Sequence, residues 1–162
     1  MELLERFLRT WDEEYLDSVK DILDHPVFRS MEQYIQHGTT TCLEHSIRVS
    51  YMAYRLSRKF GGNWRSAARA GLLHDLFLYD WHTHARETGN YFHGFTHPRT
   101  ALDNAGKSFD LTKEEQMIIL RHMWPLTLVP PVSRAGYAVT WADKYCSARE
   151  TAFRVKQRRQ YA

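Results

Sequence analysis

Residues 70–78 read Ala-Gly-Leu-Leu-His-Asp-Leu-Phe-Leu (AGLLHDLFL) and are apolar almost all round, apart from the pair His74-Asp75. A helix that is apolar on every side is buried among other elements. Asn63 can cap such a helix, so the pattern predicts a central helix from there to about residue 78. The two ionisable side chains inside it are the first indication of a buried polar site.

Helical periodicity continues on both sides of this stretch, and strand alternation is nearly absent. Apolar residues recur every three or four positions over residues 3–23 and 41–60, which predicts two amphipathic helices. Residues 37–41 are expected to form a loop whose hydroxyls cap the second of them. The other predicted helices are one at 27–35, one from His97 to about Lys107, one from a Thr112 capping box to Met123, and one or two from Ser133 to near the end. The sequence therefore predicts an all-α bundle of six to eight helices.

Length favours a single domain, and the distribution of charge gives no strong evidence for a nucleic-acid partner. The chain has 162 residues and a net charge of +3, which suits a single domain with its core at 37–150 and an acidic N-terminal helix at 2–24. The excess of positive charge lies in a basic tail at 147–162, which has five Lys/Arg and one acidic residue. Because the rest of the chain is nearly neutral, the basicity is weak support for a nucleic-acid partner.

The number and position of the cysteines and the hydropathy of the chain favour a reducing compartment. Cys42 and Cys146 lie in apolar helical stretches and do not resemble a disulfide framework, which favours a reducing environment. No run of 18 apolar residues is present, so neither a membrane span nor a secretory signal is expected. We therefore expect a cytoplasmic protein that is a monomer or a simple homo-oligomer.

Several more ionisable residues fall on predicted apolar faces. His45 lies on the face of Cys42 and Val49, and His122 and Asp143 lie on the apolar faces of later helices. One buried histidine is most often a hydrogen-bonded core residue, but a buried carboxylate costs several kcal/mol unless a cation meets it. Histidines and aspartates that converge from separate helices are what a metal site in a bundle requires.

The adjacent pair His74-Asp75 limits where an ion could lie. Neighbours on a helix point about 100° apart, so His74 and Asp75 reach one ion only near the helix surface, with the aspartate free to bridge to a second ion.

The sequence lacks the motifs of several common enzyme and metal-binding classes. It has no Cys-x-x-Cys pair and no His-Glu-x-x-His run, and it lacks the glycine-rich motifs of P-loop and Rossmann proteins and the serine motif of α/β-hydrolases.

These residues resemble the His…His-Asp…Asp signature of the HD-domain superfamily of metal-dependent phosphohydrolases, over about residues 37–150. The signature residues stand in CLEHSIRVS, in AARAGLLHDLFLYDW and in VTWADKYCSARE. By resemblance, the first metal ion would be held by His45, His74, Asp75 and Asp143.

Some HD subfamilies are similar in having two further histidines that hold a second metal ion. His97 and His122 stand in the matching order here, and Asp75 would then bridge the two ions. His93 is the alternative to His97. We prefer His97 because the His-Pro step, with Ala101 one turn later, is more similar to the family's helix start.

The resemblance implies hydrolysis of a phosphomonoester or phosphoanhydride of a small molecule, with a nucleotide as the expected substrate. Two divalent ions acidify a bridging water and neutralise phosphoryl charge. Iron or manganese is expected, with zinc, magnesium, cobalt and nickel as alternatives. The candidate catalytic residues are Asp75 and His37, and His37 is the candidate proton donor to the leaving oxygen. The candidates for contacting the substrate phosphate are Lys144, Arg48, Arg99 and His93.

Two other functions fit the same residues. Some HD relatives with six such ligands are diiron oxygenases that cleave C–P or C–C bonds, and oxygen uptake would distinguish them from a hydrolase. A non-catalytic module that senses a nucleotide would bind it without turnover. The residues that choose the substrate are expected in the loops 79–96 and 124–134.

Overall fold

The computed structural model describes residues 12–37, 39–80 and 93–160, and these residues are predominantly helical. Its α-helices are α1 (Glu13–Leu23), α2 (Pro26–Arg29), α3 (Cys42–Lys59), α4 (Trp64–Leu73), α5 (His93–Ser108), α6 (Lys113–Arg121) and α7 (Arg134–Gln160). A 3-10 helix at Ser30–Gln33 and two short strands, β1 (Ile35–His37) and β2 (Thr40–Thr41), lie between α2 and α3. Within the described ranges, no helix is both long and apolar enough to cross a membrane. The predicted all-α fold is confirmed.

The predicted helix starts are stabilised by side-chain caps. The Thr41 hydroxyl accepts a hydrogen bond from the Glu44 N–H at 3.2 Å, and the Glu44 carboxylate accepts one from the Thr41 N–H at 3.4 Å. Thr112 and Glu115 form the same capping box at 3.2 and 2.8 Å. Each box satisfies two backbone donors that the first turn of a helix leaves free. Asn63 caps α4, as the sequence predicted: its side-chain oxygen accepts a hydrogen bond from the Ser66 N–H.

The central helix ends earlier than predicted, at Leu73 instead of residue 78. The chain turns tightly there, since the Leu76 N–H donates to the Leu73 carbonyl at 3.2 Å and the Phe77 N–H donates to the Asp75 carbonyl at 2.8 Å. Leu78 has a φ of 59°, in the left-handed region that ends helices. The apolar run continues across the turn, so hydrophobic periodicity could not show the end. His74 and Asp75 therefore lie just after α4 and not inside it.

Two other expected boundaries are wrong. The helix expected at 27–35 stops at Gln33, because Ile35–His37 pairs antiparallel with Thr40–Thr41 where a loop was expected. Helix α5 begins at His93, four residues before the predicted start at His97. Pro98 lies inside α5 and has no N–H to donate to the preceding turn, which explains why the sequence indicated a start at that point. Residues 81–92 of the predicted substrate-selecting loop lie outside the described ranges.

The core forms around α3, which packs against α4 and α7, while α1 packs against α4. The hydroxyl groups of Tyr15 and Ser50 are 2.8 Å apart, and the Ser50 hydroxyl donates to the Ala68 carbonyl at 2.6 Å. This buried chain of hydrogen bonds joins α1, α3 and α4. The three helices are thereby held in one arrangement around the residues that follow α4.

Gly71 allows α3 and α4 to approach closely. A Cβ at this position would lie 2.7 Å from the Ser50 Cα, which is backbone and cannot move alone. By contrast, a Cβ at Gly106 in α5 would meet nothing within 4 Å. Of these two glycines, only Gly71 lies where a larger residue would collide with a facing helix.

We expect Gly71→Ala to destabilise the protein by about 1–3 kcal/mol, because overpacking forces the two helices apart. Gly106→Ala is the matched control, and we expect it to be neutral or to stabilise the protein by up to about 1 kcal/mol, because alanine favours a helix over glycine. Thermal unfolding of both variants checks this. Equal melting temperatures for the two variants would show that the close approach at Gly71 is not needed.

Candidate metal centre

Six buried side chains converge near the end of α4, three from within helices and three from residues that directly follow a helix. Helix α3 contributes His45, the turn after α4 contributes His74 and Asp75, and α5 contributes His97. The other two are His122, the residue that ends α6, and Asp143 of α7. Each is at most 8 % exposed. These are the six residues that the sequence predicted as ligands.

The first group of donors is formed by His45, His74 and Asp143, whose ligand atoms all lie within 4.8 Å of one another. His45 Nε2 lies 3.2 Å from Asp143 Oδ1, and His74 Nε2 lies 3.8 Å from the same oxygen. Three donors at these distances surround a space that one ion can occupy.

The second group is formed by His97 and His122, together with Asp75. The Nε2 atoms of the two histidines are 3.0 Å apart. They lie 3.2 Å and 3.6 Å from Asp75 Oδ1. His74 is also close to Asp75 and His122, within 4.8 Å by ligand atoms, so the two groups adjoin.

Asp75 connects the two groups through its two carboxylate oxygens. Oδ2 faces the first group, 3.3 Å from His74 Nε2 and 3.9 Å from His45 Nε2. Oδ1 faces the second group. This is the arrangement of a carboxylate that can bridge two ions, one on each oxygen. Because Asp75 stands on a turn, its side chain reaches between the helices.

The donor atoms fit divalent metal ions. His74 Nε2 and Asp75 Oδ1 are buried and have no hydrogen-bond partner within the described residues, although both point into the cluster. A buried polar atom without a partner costs about 1–3 kcal/mol. Imidazole nitrogens and carboxylate oxygens are donors for Mn, Fe, Zn and related ions. An ion in each group would satisfy these atoms.

Backbone carbonyls orient two of the histidines. His74 Nδ1 donates to the Gly71 carbonyl at 2.9 Å, and His122 Nδ1 donates to the Ile119 carbonyl at 2.7 Å. A carbonyl only accepts, so the proton is on Nδ1 and Nε2 is directed into the cluster. Such bonds fix the tautomer that a metal-binding histidine requires.

The histidines of the cluster differ in pKa because they have different charged neighbours. Burial lowers the pKa of His45 and His74, but hydrogen bonds to Asp143 and Glu150 raise the pKa of His45 to about 9, and the charge of Asp75 raises that of His74 to about 10. Burial and the positive charge of His74 lower the pKa of His122 to about 3. The protein without metal thus holds positive charge on the first group. A bound ion would displace those protons.

The pKa values of the two aspartates in the cluster are lowered. Burial alone raises the pKa of Asp75, yet the positive charge of His74 brings it well below its usual range. Burial likewise raises the pKa of Asp143, and the hydrogen bond with His45 together with the positive charge of His74 more than offsets it. Both carboxylates are therefore ionised and ready to bind a cation.

Sequence reasoning missed two residues that contact the cluster. The Gln36 amide of β1 donates to Asp75 Oδ2 at 2.5 Å and accepts a bond from the Cys42 thiol at 3.1 Å. Glu150 of α7 accepts a bond from His45 Nδ1 at 3.0 Å. Glu150 stands seven residues after Asp143, on the same face of α7, and this spacing was the available signal. No sequence pattern marks Gln36.

The residues predicted to bind the substrate phosphate differ in their distance from the cluster and in their ion-pair partners. Lys144 Nζ donates to the His122 carbonyl at 3.2 Å and lies 3.6 Å from Asp143 Oδ2, so it stands beside the cluster. Arg48 is bound to Glu150 at 3.1 Å. Arg99 is exposed and pairs with Asp103 at 3.2 Å.

Two predicted residues are described only in their backbone. His37 ends β1, and His93 begins α5. Their side chains lie outside the described part of the structure. His97 Nε2 lies 3.2 Å from Asp75 Oδ1.

The comparisons with known proteins identify the family of the chain. Residues 42–147 match the family model described as HD domain, and this segment contains all six converging side chains. Over 66 residues, or 41% of this chain, the sequence is 38% identical to the protein of Bacillus subtilis (strain 168) named "Putative phosphohydrolase YueE". The match spans about a third of that relative's length, 34%. No solved structure matches the chain significantly. Since the family model covers more than half of the sequence, the chain belongs to the HD-domain family.

Proposed function

We propose that this chain is a metal-dependent phosphohydrolase that acts on a phosphomonoester or phosphoanhydride of a small molecule at a centre of two divalent ions. The observation that carries the proposal is the position of Asp75, whose two oxygens face two separate groups of imidazole nitrogens. Membership of the HD-domain family and the name of the Bacillus relative support phosphoester hydrolysis.

The donors divide between two ions. His45, His74, Asp143 and Oδ2 of Asp75 would hold the first ion, and the second would be held by His97, His122 and Oδ1 of Asp75. When bound, such a pair of ions supplies an activated water and neutralises charge on the phosphoryl oxygens. The chain's own contribution is to hold the donors in fixed tautomers and to exclude bulk water from them.

Lys144 is the residue that we propose to bind the substrate phosphate. Its ammonium group is held beside His122 and Asp143, and its side chain is about one-third exposed, at 34%. A cation fixed at the edge of a metal centre orients an anionic substrate. Arg48, Arg99 and His93 are secondary candidates. We also propose His37, at the end of β1, as the proton donor to the leaving oxygen, because it precedes the helix that carries His45.

The finer assignments extend this proposal. We propose a nucleotide as the substrate and iron or manganese as the metal, both from the resemblance to six-ligand HD subfamilies. We propose a cytoplasmic location, supported by the free and buried state of Cys42 and Cys146. The six donors would also suit an oxygenase with two iron ions, so oxygen uptake belongs in the test.

Metal analysis of purified, untagged protein tests the centre directly. We expect about two ions per wild-type chain and about one per His122→Ala chain, because that variant removes a donor from the second group only. His25→Ala is the matched control, since His25 caps α2 and lies outside the cluster, and it should keep both ions.

Activity assays on the same samples separate the functions. Release of phosphate from p-nitrophenyl phosphate and from nucleotides, without oxygen uptake, would support the phosphohydrolase. Oxygen uptake by the iron-loaded protein would favour the oxygenase. One ion or fewer, unchanged in His122→Ala, would contradict the two-ion centre.

A further inference from the structure

Glu150 is a buried acidic residue next to the metal centre that the family match does not include. It lies on α7, three residues beyond the matched segment 42–147, and its side chain is only 6% exposed. It is also the one acidic residue in the otherwise basic tail. A buried carboxylate in such a position requires partners that offset its loss of water.

The two oxygens of Glu150 have separate partners. Oε2 accepts a hydrogen bond from His45 Nδ1 at 3.0 Å. Oε1 accepts one from the Arg48 guanidinium at 3.1 Å. Arg48 and His45 are both on α3, so one carboxylate of α7 binds two side chains of the facing helix. The arginine offsets the charge of Glu150 and fixes the direction of the oxygen that meets His45.

The contact determines which nitrogen of His45 faces the first group of donors. Asp143 and Glu150 stand two turns apart on the same face of α7. They contact opposite nitrogens of the His45 ring, Asp143 at Nε2 and Glu150 at Nδ1. A carboxylate at Nδ1 keeps a proton there, so the proton that a bound ion would displace is the one on Nε2, which faces the first group of donors.

His45 differs in this respect from the other oriented histidines. His74 and His122 donate from Nδ1 to neutral backbone carbonyls of their own helices. His45 donates to a charged oxygen of another helix. An anionic acceptor makes the imidazole a stronger electron donor, and such outer partners typically change metal affinity by about 10- to 100-fold.

We propose that Glu150 is a positioning residue of the first metal ion, which it strengthens by orienting and polarising His45. This inference rests on the proposed function, because it requires that the cluster binds metal. Glu150 contacts neither the proposed ion nor the substrate, and acts only through His45.

A matched control exists in the same fold. Glu115 is also a buried glutamate bound to an arginine, with its Oε1 3.1 Å from Arg69 Nε. It lies on α6 and is part of the Thr112 capping box, which glutamine can also form. Glu115→Gln therefore removes a similar charge from a similar environment without touching a histidine of the cluster.

The experiment is a titration of metal-free protein with Mn²⁺, in which the electron paramagnetic resonance signal reports the free ion. We expect two bound ions in the wild type. In Glu150→Gln, which keeps an acceptor oxygen but loses the charge, the affinity for one ion should fall by about tenfold, toward the lower end of the usual range for such partners. Glu150→Leu removes the acceptor as well, and its affinity for that ion should fall by about 100-fold.

Folding of the variants is checked by circular dichroism. Arg48 is about one-third exposed and also lies 3.9 Å from Glu44, so it keeps water and a charged neighbour when Glu150 is replaced. Glu115→Gln should bind both ions with wild-type affinity. If Glu150→Gln and Glu150→Leu bind both ions as the wild type does, the role of Glu150 is refuted while the metal centre stands. If the wild type binds no Mn²⁺, the metal centre and the role of Glu150 are both refuted.

Discussion

Asp75→Asn should abolish activity, with a loss of about 1,000-fold or more, since several kcal/mol of metal-dependent stabilisation disappear and each 1.36 kcal/mol is a factor of ten. Asparagine has nearly the same shape as aspartate. It lacks the negative charge and offers one oxygen where the aspartate offers two. One group of donors therefore faces an NH₂, which cannot bind a cation. Phosphate release from the metal-loaded variant measures the loss, and metal analysis should show at least one ion missing.

The control for this variant is Asp24→Asn. Asp24 is 59% exposed and pairs with Arg29 at 2.9 Å, and exposed pairs of this kind contribute little to stability. We expect wild-type activity and metal content. A correctly folded Asp75→Asn protein that retains full activity would refute the bridging role of Asp75.

Removal of the metal should lower the melting temperature by about 10 °C. An ion that binds only the folded protein stabilises it by about 4 kcal/mol when its free concentration is about 1,000 times Kd. For a chain of this size, each kcal/mol corresponds to roughly 2–4 °C. The physical source is the cluster itself, where the removal of the ion leaves donors such as His74 Nε2 buried without a partner.

Differential scanning calorimetry before and after dialysis against a chelator measures this shift. Added Mn²⁺ should restore the melting temperature of the wild type but should raise that of Asp75→Asn much less. The same melting temperature with and without chelator would show that the cluster is stable as a set of ordinary hydrogen bonds and ion pairs.

The sequence indicated which buried polar side chains lie together because the signal lay in polarity and spacing. His45 and Asp143 stand on faces that are otherwise apolar, and such residues are costly to bury without a partner. The resemblance to a known signature added His97, which stands at no conspicuous position in its own helix. The capping boxes at Thr41 and Thr112 indicated the helix starts for local reasons that do not depend on the rest of the fold.

Features that depend on contacts between distant segments could not be read in the same way. The end of α4 at Leu73 lies inside an apolar run, so periodicity does not change where the backbone turns. Gln36 contacts Asp75 from a three-residue strand that has too few positions to show a period. Glu150 was counted as the single acid of a basic tail, and only the packing of α7 on α3 shows that it meets His45.

The close contact at Gly71 connects the packing of two helices with coordination chemistry. The carbonyl of Gly71, one turn before His74, accepts a hydrogen bond from His74 Nδ1, while Ser50 stands five residues after His45 on the facing helix. The imidazole rings of His45 and His74 have their centroids 5.5 Å apart. The absence of a side chain at position 71 therefore lets α3 and α4 lie close enough for His45 and His74 to stand beside the same Asp143 carboxylate oxygen.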